Sequence, residues 1–227
     1  MTSPSLEQLA QALAEPRRLQ ILQELLGGIP LPVGALAARI GIAPSTTTAH
    51  VTRLLDAGLI AVEQQGRTRL VRIVDPAVAE AVESVLRLTG QPEVLSWAAS
   101  DRRAAMRRAR SCYDHLAGDL GIAVADHLVE RGLLDQDLGS ARVAVDEIGS
   151  ALDLSLTVVV SSRPLVRGCL DWTARRPHLA GRLGAALLQA MLTAGWVTRR
   201  AEDRSLRITP VGAGHLDRLQ LRPSAAG

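Results

Sequence analysis

In 227 residues the chain has no phenylalanine, one tyrosine, three tryptophans and two cysteines, and all 26 of its basic residues are arginine. Two cysteines make no disulfide framework, and in a reducing compartment they are expected as thiols. No apolar run reaches the ~18 residues a membrane helix needs, and the N-terminus carries no basic-then-apolar leader. A cytoplasmic protein with no membrane partner is therefore expected. A phosphate loop, a Gly-rich dinucleotide turn and the G-x-S-x-G nucleophile motif are also missing. Asp126 and Glu130 stand four apart, an ordinary surface pairing on a helix, so no catalytic residue, enzyme activity or cofactor is expected. The exclusive use of arginine reads as a coding bias, which makes arginine by itself a weak signal.

What is present is enough apolar content, 47%, to fill two small cores. The net charge is +3 and the pI near 9.6, but the distribution matters more than the total. Residues 1 to 90 hold eight arginines and eight acidic residues, whereas residues 36 to 73 hold Arg39, Arg53, Arg67, Arg69 and Arg72 against Asp56 and Glu63. One face of a neutral domain is thus basic, as a DNA-binding module with an oriented field requires.

That basic stretch reads as helix, Gly41 turn, helix and hairpin. Pro44 sits at the first position of the second helix, where its missing N–H costs nothing. Val51, Leu54 and Leu55 give this helix its apolar face. Ser45, Thr46, Thr48, His50 and Arg53 remain as groups able to reach base edges. Gln64-Gln65-Gly66-Arg67 joins two strands, with Arg67 and Arg69 at or near the tip. Upstream, Leu6, Leu9 and Leu13 and then Leu19, Leu22, Leu25 and Leu26 predict two helices broken at Glu15-Pro16. Asp75-Pro76 starts a further helix to about Leu88.

Residues 14 to 22 (AEPRRLQIL), Thr48-Ala49-His50-Val51, Asp56-Ala57-Gly58-Leu59-Ile60 and Gln65-Gly66-Arg67 follow one another in an order and spacing that resembles the ArsR family of bacterial winged-helix transcriptional regulators, over roughly residues 5 to 88. The resemblance implies a repressor of transcription that binds a double-stranded DNA operator. It also implies a homodimer joined through the first and last helices of the domain. The metal sites known in the family use cysteines before the reading helix or His and Asp on the last helix. Pro32 to Ala38 contains no Cys and Asp75 to Leu88 no His, so neither metal site is present.

Thr89-Gly90-Gln91-Pro92 marks a boundary between a domain at 1–90 and an Arg-rich linker helix at 91–110. Within that linker, Ser96 to Arg110 predicts a helix whose Arg102, Arg103, Arg107, Arg108 and Arg110 either face water or touch phosphate. Residues 111–227 form an effector or interaction domain with an internal repeat. Residues 115 to 134 align with 178 to 197 at an offset of 63, with eight of twenty positions identical. Each half reads as an amphipathic helix beginning near His115 or His178, a Gly stop and a strand, with Val143 to Gly149 aligned on Leu206 to Gly212. The expected fold is mainly α with small β wings: an N-terminal winged helix-turn-helix and a duplicated helix-strand domain. A degenerate second winged fold is the alternative for the latter.

The rare side chains gather in this second domain. Cys112, Tyr113, His115, Cys169, Trp172, Arg175, His178 and Trp196 outline a possible pocket for a small-molecule effector. Cys112 and His115, three apart, would share a helix face, so a mixed Cys and His site would form if the halves meet. Against this, Cys112 aligns with Arg175 rather than with Cys169, and buried Cys and Trp are ordinary core residues. No metal is assigned. Two alternative functions stay open: a protein-interaction module that uses the winged fold only to dimerise, and a Cys/His-based redox or metal sensor.

Overall fold

The computed structural model describes residues 5–66, 68–88, 97–201 and 203–221. The chain divides into two compact units, Met1–Thr89 and Gly90–Gly227.

In the first unit, Ser5 opens α1 (Leu6–Leu13) with a capping box. Its hydroxyl accepts the Gln8 N–H at 3.2 Å, and Gln8 Oε1 accepts the Ser5 N–H at 2.9 Å. Pro16 cannot continue that helix and instead begins α2 (Pro16–Leu25), capped by Glu15. The short β1 (Leu31–Pro32) leads into α3 (Val33–Ile40), which stops at Gly41 with a left-handed φ of 68°. Then come α4 (Pro44–Asp56), β2 (Ile60–Gln65), β3 (Thr68–Ile73) and α5 (Pro76–Leu88). The sheet runs β1-β3-β2, all antiparallel, with Val62 opposite Val71 and Gln65 opposite Thr68. Ile21, Leu22, Leu25, Leu36, Val51, Leu54 and Val71 form its buried centre. Burial of each such side chain is worth about 1.5–3 kcal/mol, so α4 is held rigidly by one side and leaves its other side outward.

The second unit starts with α6 (Trp97–Arg108) and consists of two related halves. The first has β4 (Arg110–Cys112), β5 (His115–Ala117), α7 (Gly118–Glu130) and α8 (Val145–Ala151). The second has β6 (Arg167–Leu170), β7 (Pro177–Ala180), α9 (Gly181–Thr193), β8 (Val197–Arg199), β9 (Leu206–Ile208) and α10 (Pro210–Arg218). Helices α7 and α9 stand at the 63-residue offset. The halves cross over: α7 packs on β7, α9 packs on β5, and β5 meets β7. One core spans both, including Leu120, Leu128, Leu183, Leu187, Met191 and Trp196.

Three expectations are corrected here. His115 and His178 do not begin helices; each lies in a strand, and the helices begin at Gly118 and Gly181 with φ of 78° and 79°. A Cβ at Gly118 would stand 2.5 Å from the Arg107 carbonyl oxygen, and one at Gly181 2.7 Å from that of Leu165. The chain therefore turns sharply at these glycines, where L side chains are excluded. Secondly, the segment Val143 to Gly149 is not a strand, because α8 occupies most of it. The wing of the second half, β8 with β9, is reduced in the first half to a single bridge between Leu134 and Ala141. Thirdly, Arg110 does not belong to a solvated helical face. It lies in β4 and is 0% exposed, while Arg107 and Arg108 at the end of α6 are exposed. The Thr89 to Pro92 boundary and Ser96 lie outside the described residues, as do the side chains of Arg102 and Arg103.

Candidate nucleic-acid interface and a buried cysteine–histidine cluster

Helix α4 has two chemically distinct sides. Thr47, Val51 and Leu54, at i, i+4 and i+7, are buried, and the Thr47 hydroxyl donates to the Ala43 carbonyl at 3.1 Å. Ser45, Thr46, Ala49, Thr52 and Arg53 are exposed, while Thr48 and His50 are half-buried at the flanks. Thr48 and Thr52 donate their hydroxyl protons to the Pro44 and Thr48 carbonyls at 2.9 and 3.1 Å. Their oxygens therefore remain as acceptors. Thr52 was not among the residues singled out in the sequence, although its exposure places it beside Arg53.

The wing is the β2–β3 hairpin, turned at Gly66 with φ of 60°. Arg69 is exposed on β3; Arg67 lies outside the described residues. Two of the five arginines in this stretch are already committed to acids of their own unit. Arg72 pairs with Glu63 at 2.7 Å and Arg39 with Glu24 at 3.4 Å. The positive charge available to a partner is thus narrower than the count implies, and centres on Arg53 and Arg69.

In the second unit the side chains singled out resolve into a cluster, a lid and three unrelated positions. Hairpin β4–β5 sets Cys112 directly opposite His115, and hairpin β6–β7 sets Cys169 directly opposite His178. The two pairs are equivalent positions of the repeat. An ungapped alignment misses this because Cys112 and His115 are three apart, whereas Cys169 and His178 are nine apart. Cross-strand pairing rather than a shared helix face brings them together. Their ligating atoms all lie within 4.8 Å of one another, and the two imidazole rings stack with centroids 5.1 Å apart. Cys112, His115 and His178 are buried, Cys169 half-buried, and the cysteines form no disulfide.

Each histidine has a carboxylate at its Nδ1. Asp114 Oδ1 stands 3.3 Å from His115 Nδ1, and Asp171 Oδ2 stands 3.7 Å from His178 Nδ1. Sequence reasoning missed both acids; only their adjacency to Cys and His could have flagged them. Burial disfavours charge on His115, but a neighbouring Cys112 thiolate and Asp114 outweigh it and raise the imidazole to about 9. Burial likewise opposes charge on Asp114, yet His115 and Arg163 hold that carboxyl down at about 2. Asp171 is also held well below the usual carboxylate range, against its burial, chiefly by Arg110 and the Thr173 hydroxyl.

Arg110 donates to Asp171 Oδ2 at 2.8 Å, and the Gly118 N–H donates to the same oxygen at 2.8 Å. Trp172 covers this pair, with the Arg110 guanidinium 5.1 Å from its ring centre. Of the other residues singled out, Tyr113 sits half-buried at the tip of the first hairpin with φ of 57°. Arg175 is exposed, and Trp196 is a core residue stacked on His215.

Among known proteins, a helix-turn-helix domain family matches residues 13–63. The uncharacterized HTH-type transcriptional regulator YdfF of Bacillus subtilis is 37% identical over 216 residues, covering 92% of this chain and 94% of the relative. The HTH-type transcriptional regulator CmtR of Mycobacterium tuberculosis is 36% identical over 111 residues, covering 47% of this chain and 93% of the relative. Of solved structures, the homodimeric winged helix-turn-helix DNA-binding domain Mb0332 of Mycobacterium bovis is 32% identical, covers 39% of this chain and 89% of its own, and has a TM-score of 0.34. Because the alignment with YdfF runs through both units, and the helix-turn-helix motifs stand in register in the first, this chain belongs to the ArsR-type winged helix-turn-helix transcriptional regulators and carries an additional, internally repeated C-terminal domain.

Proposed function

We propose that the chain is a cytoplasmic dimeric repressor that reads a double-stranded operator through α4 and the β2–β3 wing, and that an effector bound by the second unit releases it. The observation that carries the reading is the division of α4: Thr47, Val51 and Leu54 anchor it, and Ser45, Thr46 and Arg53 stand exposed opposite them. Small hydroxyls suit base edges, while Arg53, Arg69 and Arg67 suit phosphate or a guanine edge. Dimerisation is supported by the ends of the domain. Leu6 on α1 is 82% exposed and Leu88 on α5 is 88% exposed, so each of these helices carries an apolar side chain that a second subunit could cover. A twofold dimer would meet half-sites about 34–36 Å apart.

The test is binding to the DNA upstream of the protein's own gene, measured against salt. Arg67→Ala with Arg69→Ala should weaken binding to all sequences alike and reduce the salt slope by about 2. Thr46→Ala should instead change which sequences are preferred. Full affinity and an unchanged slope in the folded double variant would remove the wing from the interface.

A further inference from the structure

We propose that Cys112, His115, Cys169 and His178 are the four ligands of a tetrahedral divalent metal ion of the zinc class. The chain has two cysteines and five histidines, and both cysteines and two of the histidines converge on this one place. Chance packing would not be expected to collect them, still less at equivalent cross-strand positions of two half-domains.

The dimensions fit. Zinc bonds of about 2.3 Å to sulfur and 2.0–2.1 Å to nitrogen imply ligand-to-ligand edges of about 3.3–3.8 Å in a tetrahedron. The donor atoms stand within 4.8 Å of each other, so a closure of at most about 1.5 Å, available from side-chain rotation, completes the site. The donor chemistry fits as well. Two thiolates and two imidazoles select a borderline or soft ion over magnesium or calcium. Two thiolate charges also neutralise a dication that would otherwise be costly to bury.

The surroundings supply an independent reason. A ligating imidazole usually directs its other nitrogen to a carboxylate; His115 Nδ1 has Asp114 at hydrogen-bonding distance, 3.3 Å, and Asp171 lies 3.7 Å from His178 Nδ1, near enough for a small ring rotation to close. For His115 this leaves Nε2, which is buried and has no hydrogen-bond partner, as the atom to ligate. All four positions are filled by protein, so the site is closed and suits holding or sensing an ion rather than catalysis. Each half contributes one thiolate and one imidazole, so loading ties the two halves together. The site does not depend on the DNA-binding reading and is tested without DNA.

The experiment uses the full chain without a metal-binding tag, reduced and stripped of metal, titrated with Co²⁺ and then with Zn²⁺ against a chromophoric chelator. The expected result is one ion per chain. It should show a tetrahedral Co²⁺ spectrum with thiolate-to-metal charge transfer, displaced by Zn²⁺, and an upward shift of the thermal transition on loading. Cys169→Ser, at the half-buried position, should reduce the charge-transfer band by about half. Asp114→Asn should keep the stoichiometry and weaken affinity about 10–100-fold, as loss of a positioning carboxylate does. An octahedral, thiolate-free Co²⁺ spectrum in the wild-type chain would overturn the proposal without recourse to any variant. So would a reduced wild-type chain that takes up neither Co²⁺ nor Zn²⁺ in competition with the chelator.

Discussion

Removing Asp171 should be far more damaging than removing Arg110, although the two form one ion pair. Both side chains are 0% exposed and meet at 2.8 Å. Asp171→Ala leaves the guanidinium buried without its counter-charge, which costs about 3–5 kcal/mol. It also strands the Gly118 and Thr173 N–H groups, each of which donates to Asp171 at 2.8 Å. A buried donor left unsatisfied costs about 1–3 kcal/mol. Set against a total stability of about 5–15 kcal/mol, the second unit should be close to unfolding. Arg110→Met is different, because the carboxylate keeps its donors from Gly118, Thr173 and Ala174. We expect it to cost about 3 kcal/mol, the lower end for breaking a buried ion pair, because the carboxylate loses its counter-charge but keeps those donors. The double variant should be less destabilised than the sum of the singles, since no charge is then stranded. Urea unfolding followed by circular dichroism, with chelator present throughout so that metal cannot mask the effect, gives all four corners of the cycle. Equal costs for the two single variants, or additivity within about 0.5 kcal/mol, would refute the view that a stranded charge dominates.

Three further substitutions are informative. Leu54→Ala empties a fully buried position that anchors α4; it should cost about 2–5 kcal/mol in denaturant unfolding and weaken DNA binding through loss of folded protein. Gly184→Ala places a methyl group inside contact distance of the Leu179 carbonyl and 3.2 Å from the His115 Cβ. It should push α9 off β5, lowering the thermal midpoint and disturbing the Co²⁺ spectrum together. Trp196→Ala, at a 1% exposed core position, should destabilise the second unit by about 3–5 kcal/mol, read in the same urea titration.

The first unit was legible in the sequence because its elements are long and well punctuated. Pro16, Gly41, Pro44 and Gly66 each mark a boundary by a physical necessity of the backbone, and α4 is long enough for its 3.6-residue period to show. The second unit hid its strands for the opposite reason. β4 and β5 have three residues each, too few to display alternation, and the buried run His115-Leu116-Ala117 merges with the apolar helix that follows. Arg110 misled because a charged residue after two arginines at the end of a helix reads as solvated, and nothing local announces a partner at Asp171, 61 residues away. The Cys–His equivalence was concealed by unequal hairpin lengths. Residue identities and a two-fold repeat were visible, whereas the registers that join Cys112 to His115 and Cys169 to His178 are set by backbone pairing that no spacing rule encodes.

The crossing of helices between the halves has a consequence for synthesis. As the chain leaves the ribosome, α7 has only α6 and β5 to pack on until β7, its main partner, exists, and β5 waits for α9. The edge of β4 is completed only when Arg204 and Leu206 arrive, through the Ser111 N–H to the Arg204 carbonyl at 2.9 Å and the Leu206 N–H to the Ala109 carbonyl at 2.8 Å. At translation rates of about 5–20 residues per second the first half is therefore only partly covered for on the order of several seconds. A chain ending between α7 and β7 would expose the apolar side of α7 and its half of the cysteine–histidine cluster, so it would be a substrate for chaperones and proteases rather than a smaller working domain.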